Sequence, residues 1–177
     1  MGAGKTLLGK VLARNMRLSY MDTDHFIENR YRKKISEIFA VEGENYFREI
    51  EHKVISELSE LEDVIISTGG GLPCFNDNME IMNRKGTTVY LEVSVHKLAD
   101  RLTSGKTVRP VLQGRTGEDL RAFIAENLAK RKPFYEQAKI RFDTESANDD
   151  ENVDFLAKRL EKTIFLYNMF GGRKDND

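Results

Sequence analysis

The chain has 177 residues, the length of one ordinary domain, and can bury a hydrophobic core without disulfides or a structural metal. Its 28 basic and 29 acidic residues give a formal charge of -1, which excludes a bulk electrostatic attraction for nucleic acid. A single cysteine excludes an internal disulfide, and no apolar run reaches the roughly 18 residues of a membrane helix. We therefore expect a cytoplasmic, monomeric protein without nucleic-acid or membrane partners, with one domain over residues 1–170 and a flexible tail at 171–177.

Short apolar runs alternate with longer stretches of helical period, which is the pattern of a parallel α/β sheet. The expected strands are 18–22, 64–68, 87–92 and 140–143. The expected helices are 7–15, 44–61, 76–84, 95–102, 117–138 with a break at Pro133, and 153–168. In the first helix the residues predicted to be buried are Leu7, Leu8, Val11 and Leu12. In such a fold ligands bind at the carboxyl ends of the strands.

The chain opens on a sequence typical of a phosphate-binding loop. Gly2-Ala3-Gly4-Lys5-Thr6 matches the last part of G-x-x-x-x-G-K-[ST] and precedes an apolar helix. Backbone N–H groups and the helix dipole would bind a phosphate, Lys5 would neutralise its β/γ oxygens, and Thr6 would bind Mg²⁺. The alternative is a flexible turn, but the helix and the aspartate-ended strand that follow favour the loop.

Two carboxylates follow at the end of the first expected strand. Asp22 and Asp24 are two residues apart, so in extended backbone both side chains point the same way. Two negative charges this close repel each other, which favours binding of a metal ion by one of the two carboxylates. The structural alternative is that Asp24 is the N-cap of the next helix, and the two roles are compatible.

A helical ion pair and a run of glycines complete the candidate site. Arg48 and Glu51 are three residues apart, which is the spacing of neighbours on one helix face. They form either a solvated ion pair or a clamp, in which Glu51 holds the guanidinium so that it binds a substrate carboxylate bidentately. Three consecutive glycines at 69–71 lower the local stability of the chain. A ligand that must approach the bare backbone closely would explain why they are there.

The segment 103–116 combines glycines, a proline and three basic residues with no acidic residue. We expect it to be a cationic lid that closes over phosphates and excludes water, and the alternative is a solvated basic loop. Cys74 is either a small buried residue, which is the commoner use of a lone cysteine, or a reactive thiol near the substrate.

Together these residues resemble the shikimate kinase family, from Met1 to about Asp143. Five signals occur in order: Gly-Ala-Gly-Lys-Thr at 2–6, Asp-Thr-Asp at 22–24, Phe-Arg-Glu-Ile-Glu at 47–51, Gly-Gly-Gly at 69–71, and Arg-Pro at 109–110 followed by Arg-Lys-Pro-Phe-Tyr at 131–135. The resemblance implies an α/β three-layer P-loop kinase fold with a parallel sheet of five strands in the order 2-3-1-4-5. It also implies transfer of the ATP γ-phosphate to the 3-hydroxyl of shikimate, with Mg²⁺.

The resemblance further implies roles for individual residues. The catalytic residues would be Lys5, Asp24 and Arg109. The residues that bind ATP would be Gly2, Ala3, Gly4, Lys5, Thr6, Leu7 and Arg109, and those that hold the ion would be Thr6 and Asp22. Shikimate would be bound by Asp24, Phe39, Phe47, Arg48, Gly69, Gly70, Gly71 and Arg131. Leu102 stands where the family has an adenine-stacking arginine, and Arg101 lies next to it.

Two other functions remain open at this point. One is another small-metabolite P-loop kinase, such as a gluconate kinase, although the glycine run and the Phe-Arg-x-x-Glu string favour shikimate. The other is a non-catalytic nucleotide-binding homologue, because the phosphate loop is truncated. The family's first strand, at the centre of the sheet, would be missing here, so we expect the native protein to have about ten further residues upstream of Met1, a strand and its connection.

Overall fold

A computed structural model describes residues 2–104, 115–145 and 152–171 of the chain. Within these ranges the helices are α1 (Lys5–Met16), α2 (Thr23–Tyr31), α3 (Ile35–Leu58), α4 (Asn78–Lys85), α5 (Val95–Ser104), α6 (Gly117–Tyr135) and α7 (Val153–Phe170). The strands are β1 (Ser19–Asp22), β2 (Val64–Ser67), β3 (Val89–Glu92) and β4 (Ile140–Asp143), and a short 3-10 helix covers Leu72–Cys74. None of the helices in the described ranges is long and apolar enough to cross a membrane.

The strands form two parallel pairs. β1 pairs with β2, with Asp22 opposite Ser67, and β3 pairs with β4, with Glu92 opposite Asp143. The expected single sheet is therefore not present in the described ranges, where no strand hydrogen-bonds to both pairs. The alternation of strands and helices and the parallel pairing are as expected, and they place the carboxyl ends of β1 and β2 side by side.

One apolar core joins the two pairs. It is built from Leu8, Val11 and Leu12 of α1, Ile140 and Phe142 of β4, and Ala157 and Leu160 of α7, and Ile65 of β2 and Val89 of β3 pack against it. Leu7 was expected in this core but is 60% exposed. Successive helical residues lie about 100° apart around the axis, so the face that buries Leu8 and Leu12 turns Leu7 outward.

Three predicted helix features are wrong. The stretch after β1 forms α2, which is absent from the expected helices although the capping alternative for Asp24 implied a helix there; α2 packs on α3 through Ile27 and Ile38. α3 begins well before residue 44 and changes direction at Gly43, whose φ of 82° and ψ of 174° are not helical. α6 continues through Pro133, because a proline near the end of a helix removes only one hydrogen bond.

At Gly9, α1 packs closely on the first strand pair. A Cβ at this position would lie 2.8 Å from both Ser67 Oγ and Tyr20 Cε2. We expect Gly9→Ala to lower the free energy of unfolding by about 1–3 kcal/mol, the usual cost of overpacking. Chemical denaturation measures this, with Gly86→Ala as the control because a Cβ there meets only Met82 O, at 3.9 Å. Equal stability of the two variants would contradict the close packing.

Candidate active site

The polar ends of β1 and β2 meet the start of α1. Asp22 ends β1 and Ser67 ends β2 directly opposite. Ser67 Oγ donates a 3.2 Å hydrogen bond to the carbonyl oxygen of Lys5, in the first turn of α1. The loop before α1, the acidic segment and the glycine run therefore share one rim of the fold, as the sequence predicts.

The loop before α1 has the backbone of an anion site. Gly2 and Gly4 have φ of 74° and 83°, in the left-handed region that favours glycine. Gly4 is the N-cap of α1 and provides no side-chain capping group. The first N–H groups of a helix have no partner within it and carry the positive end of its dipole, so this turn can accept a phosphate. Arg101 Nη1 donates to the carbonyl oxygen of Gly2 at 3.4 Å, which places a second cation beside the loop.

Asp22 connects the loop to α2. Its Oδ2 accepts a 3.0 Å hydrogen bond from Thr6 Oγ1 and a 3.4 Å bond from the hydroxyl of Tyr20. Its Oδ1 accepts from the backbone N–H groups of Asp24 and His25, so Asp22 is the N-cap of α2. The assignment of the cap to Asp24 is therefore wrong, and so is the extended geometry, because the chain becomes helical at Thr23.

Oxygen ligands of this kind fit Mg²⁺. Thr6 and Asp22 present a hydroxyl and a carboxylate 3.0 Å apart at the loop, and Mg²⁺ binds few protein oxygens while it retains waters and substrate phosphates. In the described part of the chain no cluster of three or more His, Cys, Asp or Glu side chains is arranged to hold a metal. An ion here would therefore depend on nucleotide phosphates and water for most of its ligands.

Asp24 and Glu51 both lie against Gly69. A Cβ on Gly69 would be 2.6 Å from Asp24 Oδ1 and 3.1 Å from Glu51 Oε1. The backbone N–H of Gly69 donates to Thr23 Oγ1 at 2.9 Å, which fixes the turn beside α2. The glycine run thus allows two carboxylates to approach bare backbone, and any side chain at Gly69 would displace Asp24.

Arg48 is held firmly and is largely buried. Its Nη1 donates to Glu51 Oε2 at 2.5 Å, and its Nε and Nη2 donate to Glu44 Oε1 at 3.1 and 2.7 Å. The side chains of Arg48 and Glu51 are only 15% and 2% exposed, so the solvated ion pair is excluded and Glu51 orients the guanidinium. Burial raises the pKa of Glu51 against the opposing effect of Arg48, whose own pKa is raised because its two carboxylate partners outweigh its burial.

Aromatic rings enclose the Arg48 guanidinium. Its carbon lies 4.0 Å from the centre of the Phe75 ring, 5.4 Å from that of Phe47 and 5.8 Å from that of Phe39. Phe39 and Phe47 are eight residues apart, about 12 Å along a straight helix, yet their ring centres are 4.6 Å apart across the kink at Gly43. The kink therefore builds the apolar wall of the pocket.

Arg131 reaches the same region from α6. Its charge acts on Glu51, on the half-buried Cys74 and on Tyr135. Burial raises the pKa of the Cys74 thiol, and the nearby arginines only partly oppose this effect, so the thiol stays protonated and weakly reactive. A Cβ on Gly71 would lie 2.6 Å from Arg48 Nη1, so the Arg48 guanidinium lies directly against the glycine turn.

The structure places Thr6 beside Asp22, Asp24 beside Gly69, and Arg48 beside Gly71, with Phe39 and Phe47 next to Arg48. Arg109 and most of the expected lid lie outside the described residues. Sequence reasoning gave no role to Phe75, Tyr20 and Tyr135, which contact Arg48, Asp22 and Gly70. Only Tyr135 stood in a motif that carried the resemblance.

Comparison with known proteins identifies the family. The family model described as "Shikimate kinase" matches residues 1–161. A shikimate kinase of Parabacteroides distasonis is 57% identical over 164 residues, which cover 93% of this chain and 95% of that protein. The crystal structure of a Bacteroides thetaiotaomicron shikimate kinase covers 93% of this chain and 94% of its own, at 45% identity and a TM-score of 0.88.

A more distant structure carries the substrate. Shikimate kinase from Acinetobacter baumannii, solved in complex with shikimate, covers 99% of this chain and 91% of its own, at 30% identity and a TM-score of 0.79. These likenesses extend over nearly the whole chain and include the α/β P-loop fold of shikimate kinases. On this evidence the chain belongs to the shikimate kinase family.

Proposed function

We propose that this protein transfers the γ-phosphate of ATP to the 3-hydroxyl of shikimate. The observation that carries the proposal is the buried Arg48, which Glu51 orients at 2.5 Å beside the glycine turn that also contacts Asp24. Arg48 as a bidentate donor to a carboxylate and Asp24 as a proton acceptor, both beside the glycine turn, would suit a polyhydroxy acid. The relatives named above are shikimate kinases, and this chain matches them over nearly their whole length.

On the nucleotide side, the residues Gly2, Ala3, Gly4, Lys5, Thr6 and Leu7 would bind the ATP phosphates. The backbone of this turn donates hydrogen bonds to phosphate oxygens, and Lys5 neutralises their charge. Thr6 and Asp22 would hold Mg²⁺, and the ion would supply positive charge that neutralises the phosphate oxygens. Arg101, which donates to the carbonyl oxygen of Gly2, would be a cation on the adenine side.

On the shikimate side, Arg48 and Arg131 would bind the carboxylate, and Phe39 and Phe47 would form the apolar wall. Asp24 would hydrogen-bond the ring hydroxyls and accept the proton of the attacking 3-hydroxyl. Gly69, Gly70 and Gly71 would let the ring approach the backbone. Arg109 would close over the transferring phosphate from a segment outside the described residues. Transfer then depends on positioning and charge neutralisation, with no covalent intermediate on the protein.

We also propose that the two strand pairs are the outer parts of one parallel sheet with the order 2-3-1-4-5. The core that runs beneath both pairs through α1 supports this, because Ile65 and Val89 pack on the same cluster. The sheet would be complete with a further strand between the pairs. We further propose that the protein is a monomer and that it lies in the cytoplasm.

A phosphorylation panel tests the proposed activity. Purified protein with ATP and Mg²⁺ is offered shikimate, gluconate and nucleoside monophosphates, and ADP release is followed. We expect turnover with shikimate alone. Turnover with gluconate would favour another small-metabolite kinase. Tight ATP binding by calorimetry without any turnover would favour a non-catalytic nucleotide-binding protein.

The role of Asp22 toward Mg²⁺ has a separate test. Asp22→Asn keeps an oxygen that can cap α2 but removes the negative charge beside Thr6. We expect the affinity for Mg²⁺ in the presence of ADP to fall about 10- to 100-fold, the range found when groups that orient metal ligands are removed. Calorimetry measures the affinity, and thermal unfolding without nucleotide should change little. Unchanged Mg²⁺ affinity would contradict the assignment.

A further inference from the structure

Asn78 is a buried polar residue that connects α3 to the chain just after the glycine turn. It is the first residue of α4 and is 0% exposed. Its Nδ2 donates a 2.8 Å hydrogen bond to the carbonyl oxygen of Leu72, and its Oδ1 lies 2.8 Å from Nδ1 of His52 in α3. Because a carbonyl oxygen only accepts, the amide nitrogen must face Leu72 and the amide oxygen must face His52. His52 therefore carries a proton on Nδ1 and donates a hydrogen bond to Asn78, so both ends of the amide are paired.

The Leu72 end of this bridge belongs to the glycine turn. The backbone N–H of Leu72 donates to the carbonyl oxygen of Gly69 at 3.2 Å, and that of Cys74 donates to the carbonyl oxygen of Gly71 at 2.8 Å. The three glycines have no side chains that could anchor the turn, so its position depends on contacts made by its neighbours. Leu72 is 0% exposed, so its carbonyl oxygen needs a partner within the protein, and Asn78 provides it.

The His52 end belongs to the part of α3 that carries Arg48. His52 follows Glu51 directly and lies one helical turn after Arg48. On the side of the turn, a Cβ on Gly71 would be 2.6 Å from Arg48 Nη1, and the centre of the Phe75 ring is 4.0 Å from the guanidinium carbon. One amide thus joins the two elements that enclose the guanidinium.

We propose that Asn78 is a positioning residue, whose amide sets the spacing between α3 and the glycine turn and thereby the affinity of Arg48 for the substrate carboxylate. The inference rests on the proposed function, in which Arg48 binds that carboxylate. A bidentate bond from a guanidinium requires two N–H groups to be aligned with two carboxylate oxygens, so a small change in this spacing weakens binding. In this role Asn78 acts through the turn and α3 and has no contact with the substrate.

The test removes the amide and follows the KM of each substrate, because a KM does not depend on the amount of folded enzyme. Asn78→Ala is compared with wild type and with Asn83→Ala, in the same helix. Asn83 Nδ2 donates to the carbonyl oxygen of Gln137 at 2.9 Å, and its Oδ1 accepts from Thr88 Oγ1 at the amino end of β3, away from the strand ends that form the site. We expect the KM for shikimate to rise about tenfold in Asn78→Ala, below the roughly hundredfold effect of a 1 Å misplacement, with the KM for ATP unchanged. Asn83→Ala should keep both wild-type values.

Two further variants make the result specific. His52→Ala removes only the α3 end of the bridge, at a side chain that is 36% exposed, so it tests the proposal even if Asn78→Ala does not fold. We expect it to raise the KM for shikimate about threefold, the low end for a lost hydrogen bond. In an Arg48→Ala background, Asn78→Ala should raise the KM for shikimate little further, because both residues act through the same guanidinium.

The outcomes separate this inference from the activity it rests on. Absence of shikimate turnover in wild type overturns the proposed function, and the inference with it. If wild type is active, a wild-type KM for shikimate in Asn78→Ala or His52→Ala overturns the inference alone. An equal rise of the KM for shikimate and for ATP also overturns it, because it marks a merely structural role. Fully additive losses with Arg48→Ala overturn it as well, since Asn78 would then act on the substrate by another route.

Discussion

Replacing Arg48 by alanine is expected to lower kcat/KM for shikimate by roughly 30-fold to several thousand-fold. This corresponds to about 2–5 kcal/mol, the cost of removing one partner of a buried, hydrogen-bonded charge pair. The substrate carboxylate would lose a bidentate donor, and the rings of Phe47 and Phe75 would lose the guanidinium that they enclose. Steady-state kinetics with shikimate as the varied substrate measure the loss.

The same substitution also affects stability, and a second variant separates the two effects. Arg48→Ala leaves Glu51, 2% exposed, without the guanidinium that it contacts, which should lower the free energy of unfolding by about 3 kcal/mol or more. In Arg48→Ala/Glu51→Gln the buried charge is gone, so stability should return while kcat/KM stays low. Glu44→Gln is the control, because Glu44 contacts Arg48 from the exposed side. Recovery of kcat/KM in the double variant would exclude Arg48 from substrate binding.

The second large effect is expected at Gly69. A Cβ there would lie 2.6 Å from Asp24 Oδ1, so Gly69→Ala must move the carboxylate that accepts the proton in the proposed reaction. We expect kcat to fall about 100-fold, since displacements of about 1 Å in an active site have such effects. The melting temperature should change little, because the obstructing atoms are ends of side chains that can shift.

Two comparisons identify the cause of that loss. Gly86→Ala adds the same methyl group away from the pocket, where the nearest atom is 3.9 Å away, and should keep wild-type kcat. Asp24→Asn removes the proton acceptor directly, and Gly69→Ala should add little to it if both act through Asp24. A wild-type kcat for Gly69→Ala, or fully additive losses, would contradict this role of the turn.

Local sequence signals predicted those parts of the fold that depend on neighbouring residues. The strand at 140–143 was predicted correctly, because a short alternating apolar run is encoded locally, and Gly2 and Gly4 adopt the left-handed backbone that glycine allows. The Asp-Thr-Asp segment was misassigned, because an aspartate at a strand end has the same local pattern whether the next residue extends or begins a helix. Only the contacts of Asp22 with the N–H groups of α2 decide between them.

In the candidate site, too, local sequence signals predicted some features, whereas others depend on contacts between distant parts of the chain. The three-residue spacing of Arg48 and Glu51 is identical for an exposed and a buried pair, and their burial depends on the glycine turn, which lies some twenty residues later in the sequence. Phe75 carries no signal of its own, because an aromatic residue after a turn is most often core packing. Its place over Arg48 follows from the 3-10 helix at Leu72–Cys74, which directs the chain back across α3.

The two carboxylate oxygens of Asp22 bind different parts of the chain, which can couple the binding of two ligands. One oxygen caps the helix that carries Asp24, and the other accepts a hydrogen bond from Thr6 in the loop before α1, so in the proposed function a single carboxylate would connect the two substrate sites. In the proposed function, a nucleotide that altered the contacts of Thr6 and Asp22 would alter the first turn of α2 with them. Linkage then requires reciprocity: the factor by which nucleotide alters the affinity for the acid equals the factor by which the acid alters the affinity for nucleotide.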